Sequence, residues 1–129
     1  MPGGTAGPEV QIFGRRDSRP TRQAQRFFSE RRVAVAFVDL AVRPLAPTEL
    51  RRFVERLGAR ALADTKGRVW REAGLGYLRQ DEAELAARLL ADQRLLRLPL
   101  CRMGRACSAG LDEACWRSWL TAPDGARTR

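Results

Sequence analysis

The sequence predicts a single domain of mixed α/β class, in which a strand, a helix and a second strand follow one another near the N-terminus. Two apolar runs rich in Val, Ile and Phe, Val10–Phe13 and Val33–Val38, have the composition of buried strands. A helix that opens near Pro20 fills most of the stretch between them. Because such a succession forms a βαβ unit, we expect the two strands to be parallel.

The stretch Val10–Phe28 holds the most informative local pattern, since its strand leads through a basic loop, Gly14–Arg19, directly into the helix. Pro20 suits the first helical turn, because the N–H that proline lacks has no helical partner there. Unpaired N–H groups and the positive end of the helix dipole point at whatever group lies in the loop. The residue at this position in the loop is Ser18.

The middle of the chain, about residues 48–94, is predicted to be a helical insertion. Its first helix begins at Thr48, or one residue earlier, and ends at Gly58, since glycine commonly terminates helices. The other predicted pieces are residues 59–64, Trp70–Tyr77 and Asp81 to about Ala91.

A β-hairpin and an amphipathic helix are predicted after this insertion. The hairpin strands are Leu98–Met103 and Arg105–Ser108, with the turn at Met103-Gly104. The helix takes its apolar face from Leu111, Cys115, Trp116, Trp119 and Leu120. Residues 1–8 and 121–129 are expected to be disordered, which leaves residues 9–120 as the domain.

The charge and the residue types exclude several kinds of chemistry. The net charge of +9 comes almost wholly from arginine, because Lys66 is the only lysine and histidine is absent. Without histidine, a Ser-His triad, an imidazole base and histidine metal ligation are excluded. Three cysteines without a CxxC pair supply neither a zinc site nor a regular disulfide framework, so no metal site is predicted. Because the arginines are spread along the chain, we favour an ordinary solvated surface over a dedicated nucleic-acid interface.

The sequence also bears on location. No apolar run approaches the length of a membrane span. Residues 1–8 lack the basic and apolar regions of a secretory signal. We therefore expect a cytoplasmic protein that does not bind membranes.

Several short motifs occur in the order known from one family. They are Phe13-Gly14, Thr21-Arg22, Phe27-Phe28, Phe37-Val38-Asp39, Thr65-Lys66-Gly67 with Trp70-Arg71, and Leu98-Pro99-Leu100. By these motifs the stretch from about Val10 to Leu120 resembles the arsenate-reductase-like (ArsC/Spx) branch of the thioredoxin superfamily. The resemblance implies a thioredoxin-like fold with a helical insertion and, in most members, oxidoreductase activity.

Ser18 is the position at which the chain departs from that family. The resemblance places a nucleophilic cysteine here, whose thiolate is stabilised by the helix N-terminus. A serine hydroxyl titrates far higher, and a chain without histidine lacks the usual base to activate it. We therefore expect Ser18 to cap the helix rather than attack a substrate. Thr21 stands where redox-switch members carry a second cysteine, so no disulfide can form between these two positions.

The remaining predicted site residues are four arginines and a proline. Together with the helix N-terminus, the arginines could hold a small oxyanion, a glutathione carboxylate or an acidic side chain of a partner, and a solvated basic loop is the equal alternative. Pro99 resembles the cis-proline that the family places opposite its nucleophile. The arginines are Arg15, Arg16, Arg19 and Arg22.

Arsenate-reducing members also carry three anion-binding arginines. The resemblance matches two of these positions to Leu98 and Ser108, and the third to the region of Thr65–Arg68. Because the cysteine and two of these arginines are missing, arsenate reduction is not expected.

The cysteines and tryptophans are interpreted mainly as core residues. The predicted hairpin register puts Cys101 and Cys107 on opposite faces of the sheet, where they cannot form a disulfide. Cys115 lies on the apolar face of the last helix. We also assign Trp116 and Trp119 to the core. For Trp70 two alternatives stay open, a core position and an exposed ring that stacks on nucleic-acid bases.

Three functions remain at this stage. The first is a module that has lost the thiol chemistry of its family and binds an anion or an acidic protein. A second is an oxidoreductase, dependent on thiols or glutathione, that uses Cys101, Cys107, Cys115 or a partner's thiol. A third, by resemblance to Spx-type regulators, is a transcription factor that binds RNA polymerase. No resident cofactor is expected in any of them, and glutathione is the one candidate cosubstrate.

Overall fold

A central four-stranded sheet organises the computed structural model, which describes residues 9–121. The strand order is β2-β1-β3-β4. β1 and β2 are parallel, which confirms the predicted βαβ unit, while β3 runs antiparallel to both β1 and β4. The strands are β1 (Glu9–Gly14), β2 (Ala34–Asp39), β3 (Leu100–Met103) and β4 (Ala106–Ala109).

The helices within residues 9–121 lie on both sides of this sheet. The predicted helix starts near Pro20 and Asp81 are confirmed, and Gly58 ends a helix as expected. The α-helices are α1 (Arg19–Glu30), α2 (Pro47–Leu57), α3 (Ala59–Leu62), α4 (Arg68–Glu72), α5 (Glu82–Ala91) and α6 (Glu113–Thr121). Short 3-10 helices occupy Leu75–Tyr77 and Gln93–Leu95.

Two hydrophobic clusters cover the two faces of the sheet. Because side chains alternate along a strand, Ile12 faces α1 and α6, whereas the next residue, Phe13, faces α2–α5. Trp116 of α6 is fully buried in the cluster on the side of α1 and α6. Trp70 is buried in the cluster on the side of α2–α5, which settles its role as a core residue. The βαβ unit is therefore held by apolar contacts on both faces.

The hairpin turn lies one residue later than predicted. Met103 pairs with Ala106, so the turn residues are Gly104-Arg105 rather than Met103-Gly104. Gly104 has φ 60, a conformation that glycine adopts without the steric cost of a Cβ and that the first position of a type II′ turn requires. Cys101 and Cys107 still face opposite sides of the sheet, as predicted.

The ends of the described region differ slightly from the predictions. Leu111 was expected on the apolar face of the last helix, but α6 begins at Glu113 and Leu111 is 43% exposed. The reason is a bend at Gly110, which has φ 77 and precedes the helix start. Thr121 belongs to α6, and the predicted disorder of residues 1–8 and 122–129 lies outside the described residues. Nowhere between residues 9 and 121 is there a helix long and apolar enough to cross a membrane.

Candidate functional site

The end of β1, the start of α1 and the start of β3 meet at one edge of the sheet. Phe13 pairs with Leu100, so Pro99 lies level with Gly14, where the basic loop begins. The Leu98–Pro99 peptide bond is cis, as predicted. Pro99 is buried, and its carbonyl accepts a hydrogen bond from Gly110 N at 2.9 Å. The residues expected to line the candidate site therefore share one edge.

Ser18 is the N-cap of α1. Its Oγ accepts a hydrogen bond from Thr21 N at 3.3 Å, and its carbonyl accepts one from Arg22 N at 3.0 Å. Its own N–H donates to the carbonyl of Arg15 at 3.0 Å. This set of contacts is the cap that the sequence predicts, and it uses the hydroxyl as an acceptor.

The surroundings of Ser18 supply no base for its hydroxyl. The neighbouring carboxylate, Asp17, is directed to Arg15, with Arg15 Nε donating to Asp17 Oδ1 at 3.2 Å. Within residues 9–121, no carboxylate hydrogen bonds to the Ser18 hydroxyl. A hydroxyl without a base remains protonated and is a weak nucleophile at neutral pH.

Thr21 fixes the distance between α1 and the end of β1. Its side chain is fully buried, and its Oγ1 accepts a hydrogen bond from Arg15 N at 3.4 Å. A Cβ placed on Gly14 would overlap this Oγ1 and lie 2.6 Å from the Thr21 Cγ2. Gly14 is therefore required by the close approach of the helix rather than by its backbone angles.

Two of the predicted anion-binding arginines form ion pairs. Arg15 pairs with Asp17, and Arg16 Nε lies 3.2 Å from Asp39 Oδ2 while its guanidinium stands 5.5 Å from the centre of the Phe37 ring. Sequence reasoning did not assign Asp39 to the site. The available signal was its position, since a carboxylate at the end of β2 must lie beside Gly14, the end of the parallel strand β1.

The other two arginines of the loop remain more accessible. Arg19 and Arg22 are exposed, and neither forms an ion pair within the described part of the chain. One Arg22 nitrogen donates to the carbonyl of Arg16 at 2.8 Å, which orients this guanidinium along the loop. The structure thus brings all four predicted arginines to one edge but leaves only two of them without an acidic partner there.

Two of the three positions matched to family arginines by resemblance hold uncharged side chains that pack against the interior. Ser108 is buried, and its Oγ accepts a hydrogen bond from Trp116 Nε1 at 2.8 Å. Leu98 packs against the hydrophobic cluster on the α2–α5 side. Neither side chain offers a charge to an anion.

The three cysteines are free thiols, and burial raises the pKa of each. The pKa of Cys101 rises to about 12, since its burial outweighs a hydrogen bond with Ser108. Burial likewise raises the pKa of Cys107 against the opposing effect of nearby arginines, and the pKa of Cys115 is raised further by Asp112. A higher pKa leaves less thiolate at neutral pH, and the thiolate is the reactive form. In residues 9–121, no three His, Cys, Asp or Glu side chains are grouped so as to hold a metal ion.

A parallel βαβ unit followed by an antiparallel hairpin, with a cis-proline beside the start of the first helix, defines a thioredoxin-like domain. The chain belongs to the ArsC family, whose model matches residues 15–119.

Solved structures agree with this assignment at the level of the fold. A YffB protein has a TM-score of 0.77 and 19% identity, over 84% of this chain and 96% of that chain. An ArsC-family-related protein from Bacteroides fragilis has a TM-score of 0.77 and 18% identity, over 84% of this chain and 95% of that one. An arsenate reductase from Vibrio cholerae has a TM-score of 0.71 and 18% identity, over 81% and 91% of the two chains. No curated protein matches the chain.

Proposed function

We propose that this ArsC-family domain has no thiol-based reductase chemistry at the N-terminus of α1 and acts as a module that binds an acidic protein surface. The observation that carries the proposal is the hydrogen bond from Thr21 N to Ser18 Oγ, which makes the hydroxyl a helix cap. By resemblance, Ser18 stands where relatives have their nucleophilic cysteine. The same helix end that would stabilise a thiolate cannot ionise an alcohol.

Thiol chemistry from another cysteine has less support. Cys101 belongs to the apolar cluster under α1 and α6, where a thiolate would be strongly disfavoured. Cys107 and Cys115 are partly buried, and burial raises the pKa of both thiols as well. None of the three occupies the loop at the start of α1.

The basic loop supports an extended acidic partner better than a small oxyanion or glutathione. A small anion at a helix N-terminus is held mainly by backbone N–H groups. Here Pro20 has no N–H, and the N–H of Thr21 already donates to Ser18. The exposed guanidiniums of Arg19 and Arg22 can instead meet carboxylates on a protein surface without using the helix end.

The native protein is expected to reduce neither arsenate nor a model disulfide above the rate without protein, with glutathione or dithiothreitol as reductant. Ser18→Ala should leave this baseline unchanged, because a capping hydroxyl takes no part in chemistry. A family member with demonstrated arsenate reductase activity, assayed in parallel, shows that the assay works. Turnover abolished by Ser18→Ala would contradict the loss of chemistry at Ser18. Turnover abolished only by Cys107→Ala or Cys115→Ala would instead show that another thiol has replaced it.

Binding is tested by reversing the charge of the two accessible arginines. Arg19→Glu combined with Arg22→Glu is expected to weaken the complex with an acidic protein partner at least about tenfold, since two charge-assisted contacts are lost. Candidate partners, RNA polymerase included, are obtained by affinity capture at moderate salt after nuclease treatment and then measured as purified proteins. Arg51→Glu combined with Arg79→Glu is the matched control with the same change in net charge, because both arginines are also exposed but lie in α2 and in the connector before α5. Equal weakening by the control would show that binding depends on net charge and not on Arg19 and Arg22. Capture that is lost after nuclease treatment would contradict a protein partner.

A further inference from the structure

A second basic site lies away from the α1 loop, in a cleft between α2 and the turn of the β3–β4 hairpin. We call it the hairpin cleft; its volume is about 390 Å³, and it is lined by Arg52, Glu55 and Arg56 of α2 and by Arg102, Arg105 and Cys107 of the hairpin. The hairpin turn is at the end of β3 opposite to Leu100 and Pro99. The hairpin cleft is therefore separate from the candidate site described above.

Charge is concentrated and unbalanced in the hairpin cleft. Its four arginines face a single carboxylate, that of Glu55, which leaves a net formal charge of +3 on the lining. Six ion pairs are found within residues 9–121, and none of them involves these four arginines. Like charges held together repel one another, so an anion that enters the cleft relieves this repulsion.

Three of the four arginines are on a helix or a strand, and the fourth, Arg105, is in the hairpin turn. Arg52 and Arg56 are one turn apart on α2 and so point from the same side of the helix. Arg102, on β3, donates from Nε to the carbonyl of Gly104 at 3.1 Å and from a terminal nitrogen to Gln11 Oε1 at 3.4 Å. The guanidinium of Arg102 is therefore already oriented, and such a group loses less conformational entropy when a ligand binds.

Cys107 shows that the two sides of the hairpin cleft converge. The charges of Arg102, from the hairpin, and Arg56, from α2, both act on this one thiol, although burial has the larger effect and raises its pKa. A neutral thiol adds no negative charge to the lining. The hairpin cleft is therefore a region of positive charge with α2 on one side and the hairpin on the other.

We propose that the hairpin cleft binds a small anion with adjacent phosphate groups, such as the di- or triphosphate part of a nucleotide. Guanidinium groups match phosphate oxygens in paired hydrogen bonds, and a lining with a net formal charge of +3 favours a ligand that carries several negative charges. The volume lies in the range of small-molecule sites. The lining contains no aromatic side chain on which the bases of a single-stranded nucleic acid could stack, which favours a small ligand over a polynucleotide.

Inorganic tripolyphosphate is the probe for this site, because it presents adjacent phosphates without a base or sugar. We expect saturable binding of one tripolyphosphate per chain by isothermal titration calorimetry at physiological salt. Arg56→Gln combined with Arg105→Gln should weaken this binding at least about tenfold. Arg56→Lys keeps the charge but loses the paired geometry, so it should have an intermediate effect. All of these side chains are exposed, and the unfolding midpoint of each variant verifies that it is folded.

Controls separate this site from the basic loop and from nucleic acid. Arg19→Gln combined with Arg22→Gln should leave tripolyphosphate binding unchanged, so failure here is distinguishable from failure of the proposed protein-binding function. Orthophosphate should bind at least about tenfold more weakly than tripolyphosphate, because it engages fewer guanidiniums. Equal weakening by both pairs of substitutions, or no saturable binding, would overturn the proposal. Tighter binding of a thymidine oligonucleotide with the same dependence on Arg56 and Arg105 would overturn it in favour of a nucleic-acid backbone.

Discussion

Gly14→Ala is expected to lower the free energy of unfolding by about 1–3 kcal/mol, as overpacking of a close contact does. Gly14 is the buried last residue of β1, and its carbonyl accepts a hydrogen bond from Leu40 N at 2.8 Å. The added Cβ would overlap the Thr21 side chain, which is fully buried. Either α1 shifts away from the strand or the strand end is displaced. Urea unfolding followed by circular dichroism measures the change.

A matched control and a compensating variant test this cause. Gly76→Ala adds the same methyl group where the nearest side-chain atom, Trp70 Nε1, is 3.9 Å away, so its effect should be within about 0.5 kcal/mol of zero. Thr21→Ala removes the two atoms that the new Cβ would strike. The double variant Gly14→Ala/Thr21→Ala should therefore be more stable than the sum of the two single effects predicts. Strict additivity would contradict the overlap as the source of the loss.

The opening of the chain was predictable because local chemistry and tertiary structure agree there. Pro20 at the first turn, Ser18 as the cap and the apolar run before Gly14 each indicate the observed structure independently. The parallel arrangement of β1 and β2 follows from the connection through α1. The same reasoning correctly gave the helix start at Asp81, where the structure shows the Asp81 carboxylate accepting from Glu84 N at 2.7 Å.

The hairpin register was predicted wrongly by one residue because apolar residues do not define it. The predicted and the observed register both put Cys101 and Cys107 on opposite faces, so the alternation of side chains does not distinguish between them. The decisive feature is the turn, in which Gly104 must come first to take its positive φ. The shift leaves the two cysteines on opposite faces but places Arg105 in the turn, beside the hairpin cleft.

The hairpin cleft could not be predicted, since its parts are distant in the sequence. Arg56 and Arg105 belong to elements nearly fifty residues apart, and no spacing rule connects a helix of the insertion to a later hairpin. The pairing of Arg16 with Asp39 has the same character, because it depends on the register of two strands. In both cases the sequence contains the arginines but does not reveal which distant residues lie beside them in the folded chain.

Ser18→Cys is expected to create a thiol whose pKa is below about 7.5, compared with about 8.5 for an ordinary cysteine. The N–H of Thr21 that now donates to Ser18 Oγ would donate to the sulfur, and a thiolate there gains from the positive end of α1. Arg19 and Arg22, which form no ion pair within residues 9–121, add positive charge beside the same helix end. The pH dependence of alkylation by iodoacetamide, resolved by peptide mass spectrometry, measures the pKa separately from the three native cysteines.

Ser29→Cys is the matched control for this prediction. Ser29 lies in the last turn of the same helix, is exposed, and has basic neighbours in Arg31 and Arg32. The negative end of the helix dipole disfavours a thiolate there, so its pKa should be close to or above 8.5. At pH 6 we expect alkylation of the Ser18→Cys protein to be about tenfold faster, since its larger thiolate fraction outweighs the lower nucleophilicity of a weaker base. The two variants place the cysteine at opposite ends of the same helix, and both have arginines nearby. A difference in thiol pKa between them therefore reports on the helix end.

The outcome decides between two explanations for the proposed loss of thiol chemistry at this site. A lowered pKa in Ser18→Cys would mean that the edge formed by β1, α1 and Pro99 keeps the electrostatics of a thiol site and that the hydroxyl alone removes the chemistry. A pKa equal to that in Ser29→Cys would contradict this, because the arginines and the helix end would then be arranged for some other contact. Ser18→Asn provides the final check: an amide can cap α1 as the hydroxyl does, so its stability should match the native protein within about 0.5 kcal/mol.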